Sequence, residues 1–299
     1  MRFIHRSTKR TALESPGISH STRRAFLKQT GLGAVVATSA LVSGAQLFSP
    51  SVASAATRGD FTHFHPNGKP SGTNVVLVHG LFADGSSWSK VIPLLQAQGH
   101  YVIASQNPLT SLPNDVTSTL QNVSQLRGPT ILVGHSYGGM VITNAGLGAS
   151  NIVGLVYISA LIPAQGESLQ SLSTYFGPGT RFILPPDQYG RVFVDQKGFH
   201  WAFAQDIDPE EANVLAAVQK PLQGTTFSDA SGPPAWASLP SWCLISTNDR
   251  IIQPADQVIM ANRAHATTIK VPSSHFSLVS HPNAVAELIE AAVRHTAKV

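Results

Sequence analysis

Gly134-His135-Ser136-Tyr137-Gly138 constrains the fold of this chain more than any other stretch. The β-branched run Thr130-Ile131-Leu132-Val133 precedes it, and Gly139-Met140-Val141-Ile142 follows. An apolar strand, a tight glycine turn and a small-residue helix start form the context of a nucleophile elbow. The turn is so sharp that its serine takes a strained backbone conformation. Glycines at 134, 138 and 139 let strand and helix approach each other. That geometry lifts the Ser136 hydroxyl above the end of a parallel sheet, and Ser136 is the candidate nucleophile.

The flanking pattern agrees. Residues 74–79, 100–105, 130–133, 152–158, 242–246 and 268–271 read as short buried strands. Helices are predicted at 86–98, 114–127, 137–147, 208–219, 254–264 and 283–295. Asp208 with Pro209 supplies a helix-start signal for the fourth of these. Short apolar strands alternating with helices indicate α/β architecture with a mostly parallel sheet. The rhythm breaks at about residues 161–238, which are rich in proline, glycine and aromatics. This stretch reads as a cap inserted over the sheet end, with some of its aromatic side chains lining a pocket.

A serine hydroxyl needs a base, most often a histidine held in one tautomer by a carboxylate. In this architecture the chain order is serine, acid, histidine, each just past a strand end. Thr247-Asn248-Asp249 follows one predicted strand, and Pro272-Ser273-Ser274-His275 follows the last. Asp249 and His275 are therefore the expected acid and base. Asp256 falls within a predicted helix, Asp229 in the cap, and His281 just before Pro282. An oxyanion also needs donors. The Tyr137 N–H, directly after the serine, is one expectation. The other is the Leu81 N–H, after His79-Gly80, with Phe82 as the alternative.

The 299 residues are 42% hydrophobic and 12% charged, enough for one large core. The net charge of +4 misleads. Residues 1–55 carry seven of the 20 Lys/Arg and one of the 16 Asp/Glu, which leaves 13 basic and 15 acidic residues elsewhere. No electrostatic case for nucleic-acid binding remains. The basic segment instead resembles a twin-arginine export signal: Arg23-Arg24-Ala25-Phe26-Leu27-Lys28, a weakly hydrophobic uncharged stretch from 31 to 48, then the A-x-A site Ala53-Ser54-Ala55. The reading predicts contact with the twin-arginine machinery, cleavage near Ala56, and a periplasmic or secreted mature domain (residues 56–299) with no stable membrane association. An uncleaved membrane anchor is the competing reading. Cys243, the single cysteine, lies in an apolar run and reads as a buried structural thiol. His63-Phe64-His65 has metal-like spacing without a third ligand, so neither a metal nor a cofactor is expected.

Together, His79-Gly80, Gly134 to Gly139, Asp249 and His275 resemble the α/β-hydrolase superfamily. Val91-Ile92-Pro93-Leu94-Leu95, Gly99-His100, Gly138-Gly139-Met140 and Ser273-Ser274-His275 are similar to one branch of it. That branch holds plant methyl-ester esterases, hydroxynitrile lyases and many bacterial esterases. The resemblance spans about residues 74–295 and is weakest in the cap. It implies an eight-stranded, mostly parallel sheet and chemistry without a cofactor. Its lyases carry threonine where this chain has Gly80, and lysine where it has Phe276. Both differences imply hydrolysis. A serine nucleophile sets the chain apart from dehalogenase and epoxide-hydrolase relatives, which use aspartate. The leading expectation is an exported serine hydrolase acting on a small-molecule carboxylic ester. Perhydrolase or cofactor-free haloperoxidase-like activity on the same triad is the alternative enzyme reading. A ligand-binding protein that kept the fold without turnover is the alternative from another class.

Overall fold

The computed structural model describes residues 72–298. The export-signal segment and the His63-Phe64-His65 pair lie outside the described residues. In chain order the elements begin with β1 (Asn74–Val78), α1 (Ile92–Ala97), β2 (Tyr101–Ser105), α2 (Leu112–Ser124), β3 (Thr130–His135), α3 (Gly138–Ala145) and β4 (Ile152–Ile158). The insertion follows, with β5 (Arg191–Val192), α4 (Gln196–Phe203), α5 (Pro209–Ala217) and β6 (Leu222–Gln223). The main layer resumes with β7 (Ser241–Ser246), α6 (Pro254–Arg263), β8 (Thr267–Val271), α7 (Ser277–Ser280) and α8 (Pro282–Thr296).

The main sheet runs β2-β1-β3-β4-β7-β8, and every pair in it is parallel. Its inner strands are buried on both faces, which is why they read as unbroken apolar runs rather than alternating ones. The edge strand β8, Thr-Thr-Ile-Lys-Val, is largely exposed and polar, as a sheet edge requires. Helix α8 packs beside α1 and against β3, β4 and β7, while α2 packs beside α3 and against β1. Among the described residues the main sheet has six strands where the resemblance implied eight; β5 and β6 form a separate antiparallel pair in the insertion. Six is also the number of strand runs that the residue pattern located; the figure of eight came from the resemblance alone.

Local chemistry sets the helix starts. Ser111 caps α2 by accepting from Asn114 N, and Pro113 occupies its first turn. Asp208 caps α5, whose first turn carries Pro209, Glu210 and Glu211. The single helix expected over 86–98 is broken. A 3-10 turn at Gly85–Trp88, capped by the Asp84 carboxylate, precedes a separate α1. Pro93 in the first turn of α1 donates no backbone N–H and restricts the residue before it, so it starts a helix more readily than it continues one. Helix α4, in an aromatic stretch of the insertion, has no counterpart in the sequence reading.

Strand order reverses about β1, since β2 lies on one side of it and β3 on the other. A crevice forms at the carboxyl ends of the strands at such a point. The loops after β1, β3, β7 and β8 all open there, and the insertion between β4 and β7 closes over them.

Candidate active site

The tight turn after β3 takes the predicted form. Ser136 has φ 54°, a left-handed conformation that costs on the order of 1–3 kcal/mol for a residue with a side chain. Surrounding bonds hold it there. Ser136 N donates to Ile158 O at 3.2 Å, and Ser136 O accepts from Leu161 N at 3.1 Å and Gly139 N at 3.0 Å. Gly134 is required because a Cβ there would lie 2.4 Å from Gly138 O.

The three side chains read from the sequence meet at the crevice. Ser136 Oγ lies 2.8 Å from His275 Nε2, and His275 Nδ1 lies 2.8 Å from Asp249 Oδ2. With Nδ1–H donating to the carboxylate, Nε2 is left to accept the serine proton. All three are buried, with exposures of 8%, 1% and 6% for Ser136, His275 and Asp249. Asp249 is fully engaged. Its Oδ1 accepts from Ile251 N at 2.7 Å and Ile252 N at 3.0 Å, and its Oδ2 also accepts from Gln257 Nε2 at 2.8 Å. Of the competing residues, Asp256 sits half-buried in the first turn of α6. Asp229 accepts from Leu112 N, and His281 faces Asp206 at 3.9 Å.

Leu81 and Tyr137 both line the pocket above Ser136. Neither backbone N–H donates to another protein group among the described residues, nor does that of Phe82. Phe82 has φ 58°, so the turn after β1 is itself strained. That turn passes so close to the serine that a Cβ on Gly80 would lie 2.7 Å from Ser136 Cβ. His79 fixes the turn from behind: Nδ1–H donates to Gly80 O at 2.9 Å, and Nε2 accepts from Asn107 N at 3.1 Å. Burial lowers the His79 pKa to about 4.

Several supporting groups gave no sequence signal. Gln257 links the acid to its strand, accepting from Ser246 N at 3.1 Å while donating to Asp249. His135 donates from Nε2 to His275 O at 2.9 Å, and burial holds its ring well below the usual histidine range. Asp206 accepts from Ser274 N, beside His275. A chain of buried hydroxyls runs behind the site, with Ser159 to Ser246 at 2.6 Å, Ser246 to Ser273 at 2.7 Å and Ser159 to Ser277 at 2.9 Å. Cys243 is buried, and burial pushes its thiol up to about 12.

The pocket encloses about 440 Å³ of empty volume, part of it open to solvent. Leu161, Leu169, Phe176, Ile183, Phe203 and Phe227 supply much of its wall, and Ile251 and Ile252 join them from the acid loop. Phe176, Phe203 and Phe227 are the aromatic side chains that the insertion contributes to the pocket. Among the described residues, no charged side chain lines it. Among the described residues, no group of three or more His, Cys, Asp or Glu is placed to hold a metal ion.

A hydrogen-bonded serine, histidine and carboxylate over a parallel sheet, under an inserted cap, define the class of α/β proteins with a nucleophile elbow. The chain belongs to the alpha/beta hydrolase family, whose sequence profile matches residues 75–288. It is 34% identical over 163 residues to a carbendazim hydrolyzing esterase of Nocardioides sp. strain SG-4G, a match covering 48% of this chain and 63% of that protein. It is 27% identical over 251 residues to a pyrethroid hydrolase of Sphingobium wenxiniae, covering 73% of this chain and 86% of the relative. Its fold is similar to that of a methylesterase from Arabidopsis, with a TM-score of 0.62 at 20% identity, covering 75% of this chain and 99% of the other.

Proposed function

We propose that this protein is a serine hydrolase of carboxylic esters, with Ser136 as nucleophile, His275 as base and Asp249 as its orienting acid. One observation carries the reading: an unbroken hydrogen-bonded chain, Ser136 to His275 to Asp249, opens into an apolar pocket. Ser136 Oγ attacks the ester carbonyl as His275 Nε2 takes its proton. Asp249 stabilises the imidazolium that forms. The Leu81 and Tyr137 N–H groups hold the oxyanion. His275 then returns the proton to the departing alcohol. A water molecule activated by the same imidazole releases the acid. These steps need no metal or cofactor.

The uncharged lining supports neutral, apolar esters, because a carboxylate buried there would lose hydration without gaining a partner. The relatives named for carbendazim and pyrethroid hydrolysis support the same substrate class. Phe276, buried beside His275, offers no cation for a departing cyanide and so supports hydrolysis over lyase chemistry. Residues 1–55 act as a twin-arginine signal, removed near Ala56, so that the mature enzyme works in the periplasm or outside the cell. Arg23-Arg24 and Ala53-Ser54-Ala55 support that assignment.

The test is Ser136→Ala assayed on 4-nitrophenyl esters of increasing acyl length. A loss of about 10⁴-fold or more in kcat is expected, because removing a triad member generally costs that much. Wild-type turnover by the variant, or no turnover of any ester by the parent enzyme, would refute the proposal.

A further inference from the structure

Tyr137 follows the nucleophile directly and lines the pocket, yet its phenol hydroxyl is tied to a buried partner in the protein. Its hydroxyl donates to Asp115 Oδ2 at 2.8 Å. Asp115 projects from α2 and is fully buried. Its other oxygen accepts from Leu109 N at 2.8 Å. Leu109 itself has φ 57° and is fully buried, so the Asp115 contact fixes a strained residue in the loop that follows β2. The insertion seats on this same loop. Leu112 N donates to Asp229 Oδ2, Gln223 N donates to Leu109 O, and Lys220 Nζ donates to Asn107 O. Burial and the nearby Asp115 carboxylate both raise the phenol pKa, so the hydroxyl stays protonated and remains a donor.

We infer that Asp115, through the Tyr137 phenol, is a positioning residue that aims the Tyr137 backbone N–H at the oxyanion. The inference rests on the reading of Ser136 as nucleophile and of Tyr137 N–H as an oxyanion donor. The ring is a rigid lever. With its far end tethered to a buried carboxylate on another helix, the peptide that carries the N–H cannot rotate as the tetrahedral centre forms. Preorganised donors of this kind act on the transition state rather than on bound substrate. Releasing the lever should therefore lower kcat and leave KM nearly unchanged.

Tyr137→Phe, Asp115→Asn and Asp115→Leu should be compared with the parent enzyme on one 4-nitrophenyl ester, well below their melting temperatures. Binding of a boronic acid transition-state analogue is measured in parallel. Tyr137→Phe should lose about 10- to 100-fold in kcat, since misplacing a group by about 1 Å costs up to that much. KM should stay within about twofold, and boronate affinity should fall in step with kcat/KM. Asp115→Asn keeps the tether with its polarity reversed, because the amide N–H donates to the phenol oxygen and Oδ1 still accepts from Leu109 N. It should keep kcat within about threefold, while Asp115→Leu should match Tyr137→Phe. If the leucine variant does not fold, the other two decide the matter. Wild-type kcat in Tyr137→Phe, a loss confined to KM, or an equal loss in Asp115→Asn would overturn the inference. Ser136→Ala runs in the same assay, and activity surviving in that variant would instead overturn the nucleophile assignment beneath it.

Discussion

Acidification should destabilise this protein through His79, and the structure sets the size of the effect. The imidazole is fully buried, with one nitrogen donating to Gly80 O and the other accepting from Asn107 N. Only the neutral ring satisfies both partners. Burial, the largest cause, and the nearby Lys220 lower its pKa to about 4, while the Gly80 and Asn107 contacts and Asp84 oppose them. In the unfolded chain the ring protonates near 6.5. Between these values the unfolded state binds the extra proton, so stability is full above about pH 6.5 and is lost as pH falls toward 4. At 1.36 kcal/mol per pH unit the loss from His79 reaches about 3 kcal/mol. His135 shifts the same way by burial and adds to the loss. Asp115, raised by burial, works in the opposite sense, because the folded protein takes up its proton first. A comparison with His79→Asn cancels both. The asparagine amide can still donate to Gly80 O, and it does not titrate. Urea unfolding followed by tryptophan fluorescence between pH 7 and pH 4 gives the two slopes. The parent protein should lose about 3 kcal/mol more than the variant over that range. Parallel slopes would refute the argument, whatever the absolute stability of the variant.

Asp249→Asn should fold normally and lose about 10⁴-fold in kcat, because the amide favours the wrong histidine tautomer, whereas Asp256→Asn should stay near the parent rate; steady-state kinetics of the pair check this. Gln257→Met removes a donor to Asp249 Oδ2 and leaves Ser246 N without its acceptor, so denaturant unfolding should show a loss of about 1–3 kcal/mol and kinetics a reduced kcat. Changing Arg23 and Arg24 together to lysine should hold folded, active precursor in the cytoplasm, since lysine does not reproduce guanidinium geometry. Cell fractionation and N-terminal sequencing of the exported form, expected to begin near Ala56, test that assignment.

The sequence by itself determined the features that neighbouring residues write locally. Strands β1, β3, β4 and β7 were legible because sheet positions buried on both faces demand unbroken apolar runs. The turn at Ser136 was legible because strand and helix come too close for a Cβ at Gly134. Asp249 and His275 stood out because each falls just past a strand end. The break between residues 86 and 98 was not legible, since a 3-10 turn and a short helix share nearly the same apolar spacing. Helix α4 was hidden for another reason: its buried residues, Gly198, Phe199, Ala202 and Phe203, keep a helical spacing, but glycine and aromatic side chains make the run a weak helix former. Only the tertiary structure decided what aims the site. Gln257 on the acid, His135 on the carbonyl of His275 and Asp115 on the Tyr137 phenol are hydrogen bonds between side chains and groups on other segments. A buried polar group must find a partner, but its sequence neighbours do not specify which one. The order of strands across the sheet makes that choice, by bringing four loop ends and two helices, α2 and α6, to the same crevice.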